Sequence, residues 1–207
     1  MRKCMAGLGE EWPTPTTTFK NYPVCGHTMT PIEASLKLHG QFALAEIEEI
    51  EVRAHPVSLQ VAGQSFPTDE YQAKFSMPYC VAVALLKGRV GQEEFSRELR
   101  ESGEINDLLK RIRLVPDDGL GGVPGQRPAR ITLRLSGGKT FTASAAVRKG
   151  DPELPMTADE KRNKFLKLTG PVWGGNAAEG IFESIQGLPE APNVLNWAKG
   201  LRKSYKM

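Results

Sequence analysis

A cation, a thiol and an imidazole occur close together in this sequence, at Lys20, Cys25 and His27. They lie just ahead of a segment that is typical of a helix start, T-P-I-E at 30–33. An imidazole can carry a proton near neutral pH, and a helix N-terminus beside a cation suits a carboxylate or a phosphate. We therefore take this stretch, with Lys20, Cys25 and His27, as a candidate site for a carboxylate or a phosphate. The competing interpretation is a loop before an ordinary core helix, in which His27 makes one structural hydrogen bond.

The helix start itself has a complete set of signals. Thr30 can act as N-cap, and Pro31 has a backbone angle that suits the first helical position. Glu33 follows where its carboxylate can reach back to the cap, so a capping box is predicted. Gly40 is expected to end the helix, which we place over 30–39.

A second group of chemically useful side chains precedes another helix. Ser76 begins the run S-M-P-Y, and residues 79–86 are apolar on every side, as in a buried helix. Lys74, Ser76 and Tyr79 would then gather near its first turn, which would place a cation, a hydroxyl and a phenol beside free backbone donors. The alternative is that Tyr79 is a half-buried aromatic residue and Lys74 a solvated surface charge.

Two strings carry a resemblance to a known family, K-N-Y-P-V-C-G-H-T-M-T-P-I-E-A at 20–34 and E-Y-Q-A-K-F-S-M-P-Y-C-V-A-V-A-L-L-K-G at 70–88. Together they resemble the MmgE/PrpD family, which includes 2-methylcitrate dehydratase, cis-aconitate decarboxylase and iminodisuccinate epimerase. The resemblance implies an enzyme without a cofactor that moves a proton at a carbon next to a carboxylate. It also implies an active site between a large helical domain and a smaller α+β lid.

The resemblance assigns roles to the residues of both groups. It implies that His27 shuttles the proton and that Tyr79 donates to the developing enolate or to a carboxylate oxygen. Lys20, Lys74 and Ser76 would hold the substrate, with Cys25 beside them. One position departs from the family, whose loop histidine usually lies two residues beyond His27, where this chain has Met29. A thioether cannot exchange a proton at neutral pH, so His27 would have to replace that histidine.

The fold that would position these residues is predicted to be α+β. Alternation at 49–54, 112–115, 131–135 and 141–145 indicates about four short strands, which we expect to form a small antiparallel sheet packed on helices. The last two strands form a hairpin through Gly137-Gly138. The expected domains are a flexible arm at 1–17, an α+β lid at 18–150 and C-terminal helices at 151–207. By the resemblance, those helices would return to a helical domain that this chain lacks.

Further helices are predicted from periodicity and caps. An amphipathic helix is expected over 92–101 and another over 104–111. Thr157 and Glu160 form a capping box, and Gly170-Pro171 is expected to end the helix that it begins. The apolar face of 193–207 needs a cover, which could be the lid itself, another chain or nothing.

Composition excludes several classes of protein. Hydrophobic residues make up 40% and charged residues 25%, as in an ordinary globular protein, and the net charge is only +3. Acidic residues are interspersed with basic ones, so nucleic acid is not an expected partner. The three cysteines have no metal-ligand spacing, and no segment approaches the ~20 apolar residues of a membrane span. We expect a cytoplasmic protein with no metal, cofactor or membrane partner.

The functional hypothesis is a lyase that dehydrates a small polycarboxylate such as 2-methylcitrate, in a homodimer. A decarboxylase or epimerase of the same family is the alternative within the class, because all three share the first proton transfer. A non-catalytic lid that binds a carboxylate, or only dimerises, is the alternative outside it.

Overall fold

The computed structural model describes residues 7–10, 12–121 and 126–205, and the side chains of 203–205 are not described. The predicted arm at 1–17 therefore lies partly outside the described residues, and Thr14–Thr16 within it form a 3-10 turn. The chain divides into two compact units, Met1–Pro155 and Met156–Met207.

The first unit contains a four-stranded sheet and short helices. Its strands are β1 (Ile47–Ala54), β2 (Ile112–Pro116), β3 (Ala129–Leu135) and β4 (Thr140–Ala145). Its helices are α1 (Met29–Leu36), α2 (Pro56–Ala62), α3 (Glu70–Lys74), α4 (Met77–Lys87), α5 (Arg97–Arg100) and α6 (Gly103–Arg111). The α+β class, with four strands packed on helices, is thus confirmed.

The strand order is β2-β1-β3-β4, and β1 lies in the interior of the sheet. β1 pairs antiparallel with β3, where Val52 is opposite Ile131, and β3 pairs antiparallel with β4. The expectation of a wholly antiparallel sheet is wrong for one pair, because β1 and β2 run parallel. The helical segment between their ends, residues 55–111, is long enough for the crossover that a parallel pair requires.

The core forms around α4, in which every residue from Met77 to Leu85 is buried. α1 packs against α4, β3 and β4, and α6 packs against α4 and β1. β1 contributes alternate buried residues that include Ile50, Val52 and Ala54, as predicted. Ser76 caps α4 by accepting a hydrogen bond from the Tyr79 amide, 3.1 Å away, and Gly88 ends it at a φ of 64°.

The start of α1 differs from the prediction. The helix begins at Met29 after Thr28, which makes no side-chain cap. The Thr30 hydroxyl donates to the carbonyl of Arg127, and the Glu33 carboxylate accepts from the Tyr22 hydroxyl at 2.8 Å. The capping box is therefore absent, because both of its side chains bond to groups that are distant in sequence.

Two other helix predictions are corrected. The helix expected over 92–101 is divided at Ser96 into a 3-10 turn, Glu93–Phe95, and the short α5. The helix that begins after Thr157 continues through Pro171 to Trp173 before Gly174 ends it. Pro171 has no N–H to donate to the Lys167 carbonyl, so the helix continues past it with one hydrogen bond fewer. The Thr157–Glu160 capping box is confirmed, with both reciprocal hydrogen bonds present.

The second unit contains α7 (Ala158–Trp173), α8 (Gly175–Gln186) and α9 (Val194–Tyr205). Phe165 and Phe182 join α7 to α8, with ring centroids 5.5 Å apart. The Trp197 indole donates to the Ser184 carbonyl at 3.0 Å and joins α9 to α8. No helix in the described part of the chain has both the length and the apolar character needed to cross a membrane.

Candidate functional site

The loop that carries Lys20, Cys25 and His27 is held at both ends by the rest of the first unit. The Phe19 amide donates to the Gly150 carbonyl at 2.9 Å, and the Thr18 hydroxyl donates to Asp151 at 2.7 Å. At the other end, the Cys25 amide donates to the Lys74 carbonyl at 2.9 Å. The two main-chain bonds fix the backbone beside Lys20 and at Cys25, so the loop has a defined position.

His27 lies where the end of β1 leads into α2. Its Nδ1 is 2.9 Å from the Oγ of Ser58, a buried residue on α2. His55 caps the same helix, and its own Nδ1 accepts a hydrogen bond from the Val57 amide. The Nε2 of His27 has no hydrogen bond to any of the described residues, so this nitrogen is available to a ligand.

Several neighbours favour the neutral imidazole. Burial is the main cause that lowers the pKa of His27 below its ordinary value of 6.5, followed by the positive charges of Arg127 and Arg148 and by His55. A lowered pKa leaves His27 unprotonated at neutral pH. In that form the ring can accept a proton, as a general base must.

Two arginines from distant parts of the sequence meet at Gly26, the residue before His27. A Cβ placed on Gly26 would lie 3.2 Å from Nη1 of Arg148 and 3.8 Å from Nη1 of Arg127. Arg148 is fixed by Asp151, whose two oxygens lie 2.9 Å from Nε and 2.8 Å from Nη2. The Arg127 main chain is held by the Thr30 hydroxyl. The site therefore combines an imidazole whose neutral form is favoured with one guanidinium group held by an ion pair and a second one nearby.

Lys20 and Cys25, the predicted substrate contacts of the same loop, differ in exposure. Lys20 is exposed, and its ammonium group donates to the Val24 carbonyl at 3.0 Å. Cys25 is buried, with only 7% of its surface exposed. Lys20 thus adds positive charge at the loop surface, whereas the Cys25 thiol lies at the edge of the core.

The side chains of the second predicted group contact other partners. Lys74 bonds to Glu70 at 2.6 Å and to Gln92 at 2.9 Å. The Ser76 hydroxyl donates to the Gln64 carbonyl while it caps α4.

Tyr79 is completely buried, and its ring lies 5.7 Å from that of Phe95. Its hydroxyl donates to the Glu94 carbonyl at 2.7 Å, and burial raises its pKa well above the ordinary value. This contact occupies the hydroxyl that the sequence analysis assigned to proton donation.

The structure links the two predicted groups through a backbone hydrogen bond, from the Cys25 amide to the Lys74 carbonyl. Met29, at the position of the family histidine, is fully buried in the core. The described residues include no cluster of three or more histidine, cysteine or acidic side chains that could hold a metal ion.

Sequence reasoning missed Gly26, Ser58, Arg127 and Arg148. The arginines lie in the segments Q-R-P and V-R-K-G, about a hundred residues after His27. Neither segment has a motif spacing, and only the pairing of β3 and β4 with the rest of the sheet brings them to this loop. Arg127 lies two residues before β3 and Arg148 three residues after β4, so both flank the hairpin.

Several known proteins are similar in sequence to this chain, over between about half and nearly all of its length. The chain is 26% identical to cis-aconitate decarboxylase from Mus musculus over 186 residues, which are 83% of this chain and 36% of that protein. It is 24% identical to cis-aconitate decarboxylase from Aspergillus terreus over 203 residues, or 92% of this chain and 41% of that one. A 2-methylcitrate dehydratase from Cupriavidus necator is 31% identical over 106 residues, 48% of this chain and 22% of that protein.

This chain thus spans only about two fifths or less of the length of these relatives. Residues 22–188, most of the chain, match the family described as the MmgE/PrpD C-terminal domain. That range contains Cys25, His27, both arginines and the whole sheet. The chain therefore belongs to the MmgE/PrpD family and corresponds to its C-terminal domain.

Proposed function

We propose that this chain is the C-terminal domain of a lyase that transfers a proton at a carbon next to a carboxylate of a small polycarboxylate. The observation that carries the proposal is the half-buried His27, whose neutral form is favoured beside two arginines. Lys20, on the same loop as His27, adds a third positive charge. The proposed proton transfer uses none of the side chains of the second predicted group, Lys74, Ser76 and Tyr79.

The arrangement suits the chemistry of the reaction. Removal of a proton beside a carboxylate builds negative charge on that carboxylate, and fixed cations stabilise such charge as it develops. Ser58 orients the imidazole through Nδ1, which directs Nε2 to the substrate carbon. A neutral histidine can take the proton, and its protonated form can return it to a leaving hydroxyl or to carbon.

Dehydration of 2-methylcitrate is the reaction that we propose first, and similarity to two 2-methylcitrate dehydratases supports it. Decarboxylation of cis-aconitate is the second candidate. It is favoured by similarity to cis-aconitate decarboxylases over a larger share of this chain, 83% and 92%, against 48% for the dehydratase. Both substrates are small tricarboxylates with the same requirement for positive charge.

The test is turnover by the purified 207-residue chain in D2O with 2-methylcitrate, cis-aconitate or iminodisuccinate. Proton NMR follows both product formation and the incorporation of deuterium into substrate. We expect product or exchange with at least one tricarboxylate, and a loss of about 100-fold or more for His27→Gln, as for removal of a general acid or base. His39→Gln is the matched control, since His39 bonds to the Leu85 carbonyl in another part of the unit.

Absence of both product and exchange with all three compounds would refute the proposal for this chain. Equal rates for the wild type and His27→Gln would refute the role of His27. Exchange without product would support the proton transfer and would leave the later bond cleavage to groups outside this chain.

A further inference from the structure

The guanidinium groups of Arg127 and Arg148 both approach Gly26. Their Nη1 atoms lie 3.2 and 3.8 Å from one point, the position of a Cβ on Gly26, so they are separated by no more than the sum of these distances. A carboxylate between them could accept hydrogen bonds of about 2.8 Å from both guanidinium groups. Only a residue without a side chain leaves this position open.

Arg148 is prepared for such a ligand by its partners. Asp151 binds Nε and Nη2 at 2.9 and 2.8 Å, and Asp151 also accepts from the Thr18 hydroxyl at 2.7 Å. The side chain of Arg148 is only 13% exposed, and that of Asp151 only 6%. Nη1 is the nitrogen that this ion pair leaves pointing toward Gly26. The pair therefore fixes the guanidinium group and leaves the Nη1 hydrogens able to donate on the side of Gly26.

Arg127 has no such partner. Its guanidinium group forms no ion pair with any acidic residue of the described ranges, although the residue is half-buried. A partly buried cation without a counterion is unfavourable, and a bound anion would remove that penalty. The planar guanidinium group binds a carboxylate through two parallel hydrogen bonds, so this ligand class fits the geometry.

We propose that Arg127 and Arg148 form a clamp over Gly26 that holds one carboxylate of a small polycarboxylate next to His27. This inference rests on the proposed lyase function and adds the residues that position the substrate. Gly26 precedes His27 directly, so a carboxylate in the clamp places its neighbouring carbon close to the imidazole. The clamp also determines specificity, because it requires a free carboxylate within reach of the reacting carbon.

The test measures binding by the full 207-residue chain with isothermal titration calorimetry. The probes are tricarballylate, an unreactive tricarboxylate, and sulfate, a general anion. Arg127→Gln removes one donor, and Gly26→Ala retains both charges while it places a methyl group 3.2 Å from Arg148 Nη1. Arg130→Gln is the matched control, because Arg130 is an exposed arginine on β3 three residues away. Circular dichroism verifies that each variant is folded.

We expect tricarballylate to bind the wild type more tightly than sulfate. Arg127→Gln and Gly26→Ala should each weaken that binding by about tenfold or more, as expected for lost charge-assisted hydrogen bonds. Arg130→Gln should change it by less than about twofold, because an exposed charge is screened. Tricarballylate should also shift the NMR signals of the His27 ring, since its charge lies nearby.

Tricarballylate binding that is unaffected by Arg127→Gln and Gly26→Ala would overturn the clamp, as would the absence of binding to the wild type. Equal affinity for sulfate and tricarballylate would also overturn it, because the site would then be a general anion site.

The clamp and the lyase function can fail separately. Binding with the expected pattern but no turnover would support the clamp and refute catalysis by this chain. Turnover that is unchanged in Arg127→Gln and Gly26→Ala would support catalysis and refute the clamp.

Discussion

At the scale of single residues, the neighbours of His27 determine what its ring can do. Burial and the charges of Arg127 and Arg148 favour the neutral form, and Ser58 fixes the ring through Nδ1. The same residue type at position 39 bonds to the Leu85 carbonyl and has neither arginine beside it. The two histidines thus have different surroundings, and the proposed proton transfer is assigned to the one at position 27.

The titration of His27 tests this interpretation. We expect NMR to give a pKa below 6.5 for the wild type and a higher value for Arg127→Gln, because that variant removes a repelling charge while the burial stays. Arg130→Gln should leave the titration unchanged. A His27 pKa that does not respond to Arg127→Gln would show that the two groups are not in electrostatic contact.

The lowered pKa also affects folding stability. The unfolded chain binds a proton at His27 more readily than the folded chain, so the contribution of this residue is fully present above pH 6.5. It is lost as the pH falls through the lowered folded-state value. His27→Gln should lack this part of the pH dependence when urea denaturation is compared between neutral and mildly acidic pH.

At the scale of elements, the site depends on a turn that holds its loop. Gly150 accepts from the Phe19 amide through its carbonyl and donates from its own amide to the Leu154 carbonyl at 2.8 Å. It has a φ of 98°, and an added Cβ would lie 1.9 Å from the Phe19 carbonyl oxygen. Glycine at this turn thus permits the backbone approach that positions Lys20 and the rest of the loop.

Two alanine substitutions separate this close approach from backbone strain alone. Gly138→Ala, in the β3–β4 turn, changes a residue with a φ of 83° and no neighbour within 4 Å of the added Cβ. It should lower the free energy of unfolding by about 1–2 kcal/mol, the cost of a left-handed conformation. Gly150→Ala should cost at least twice as much, because the main chain of Phe19 must also move.

Urea denaturation of both variants measures the difference. Gly150→Ala should in addition weaken tricarballylate binding, whereas Gly138→Ala should not. Equal destabilisation by the two substitutions would contradict the close contact between Gly150 and Phe19.

At the scale of the whole molecule, the hydrophobic core and the candidate site both belong to the first unit. The core cluster extends from Tyr22 to Ala145, and the residues of the site lie between Thr18 and Asp151. The second unit has its own contacts, which include the pair Phe165–Phe182. The contacts described for the site lie within the first unit, which we expect to fold independently of the second.

Deletion of residues 156–207 tests this independence. The remaining chain should unfold cooperatively in urea, with a midpoint close to that of the first unit in the full chain, because its core cluster is unchanged. It should also bind tricarballylate with similar affinity. A fragment without a cooperative transition would show that the first unit needs the second for stability.

Local patterns were sufficient for much of the fold. Alternation of apolar residues predicted the strands, uniform apolarity predicted the burial of α4, and Thr157 with Glu160 predicted the start of α7. Each of these features depends on residues close in sequence, and their physical causes are side-chain direction and backbone hydrogen bonding. The two strings at 20–34 and 70–88 predicted the family for the same reason, since each is a continuous segment.

The sequence by itself determined the strands, most of the helices, the family and the position of His27 just before a helix. Only the tertiary structure decided that β2 runs parallel to β1, that Thr30 bonds to the Arg127 carbonyl, and that Arg127 and Arg148 meet at Gly26. These contacts join segments about a hundred residues apart, and no local periodicity records which side chains will meet across such a distance. Their geometry follows from the crossover and the strand order, which are properties of the folded chain as a whole.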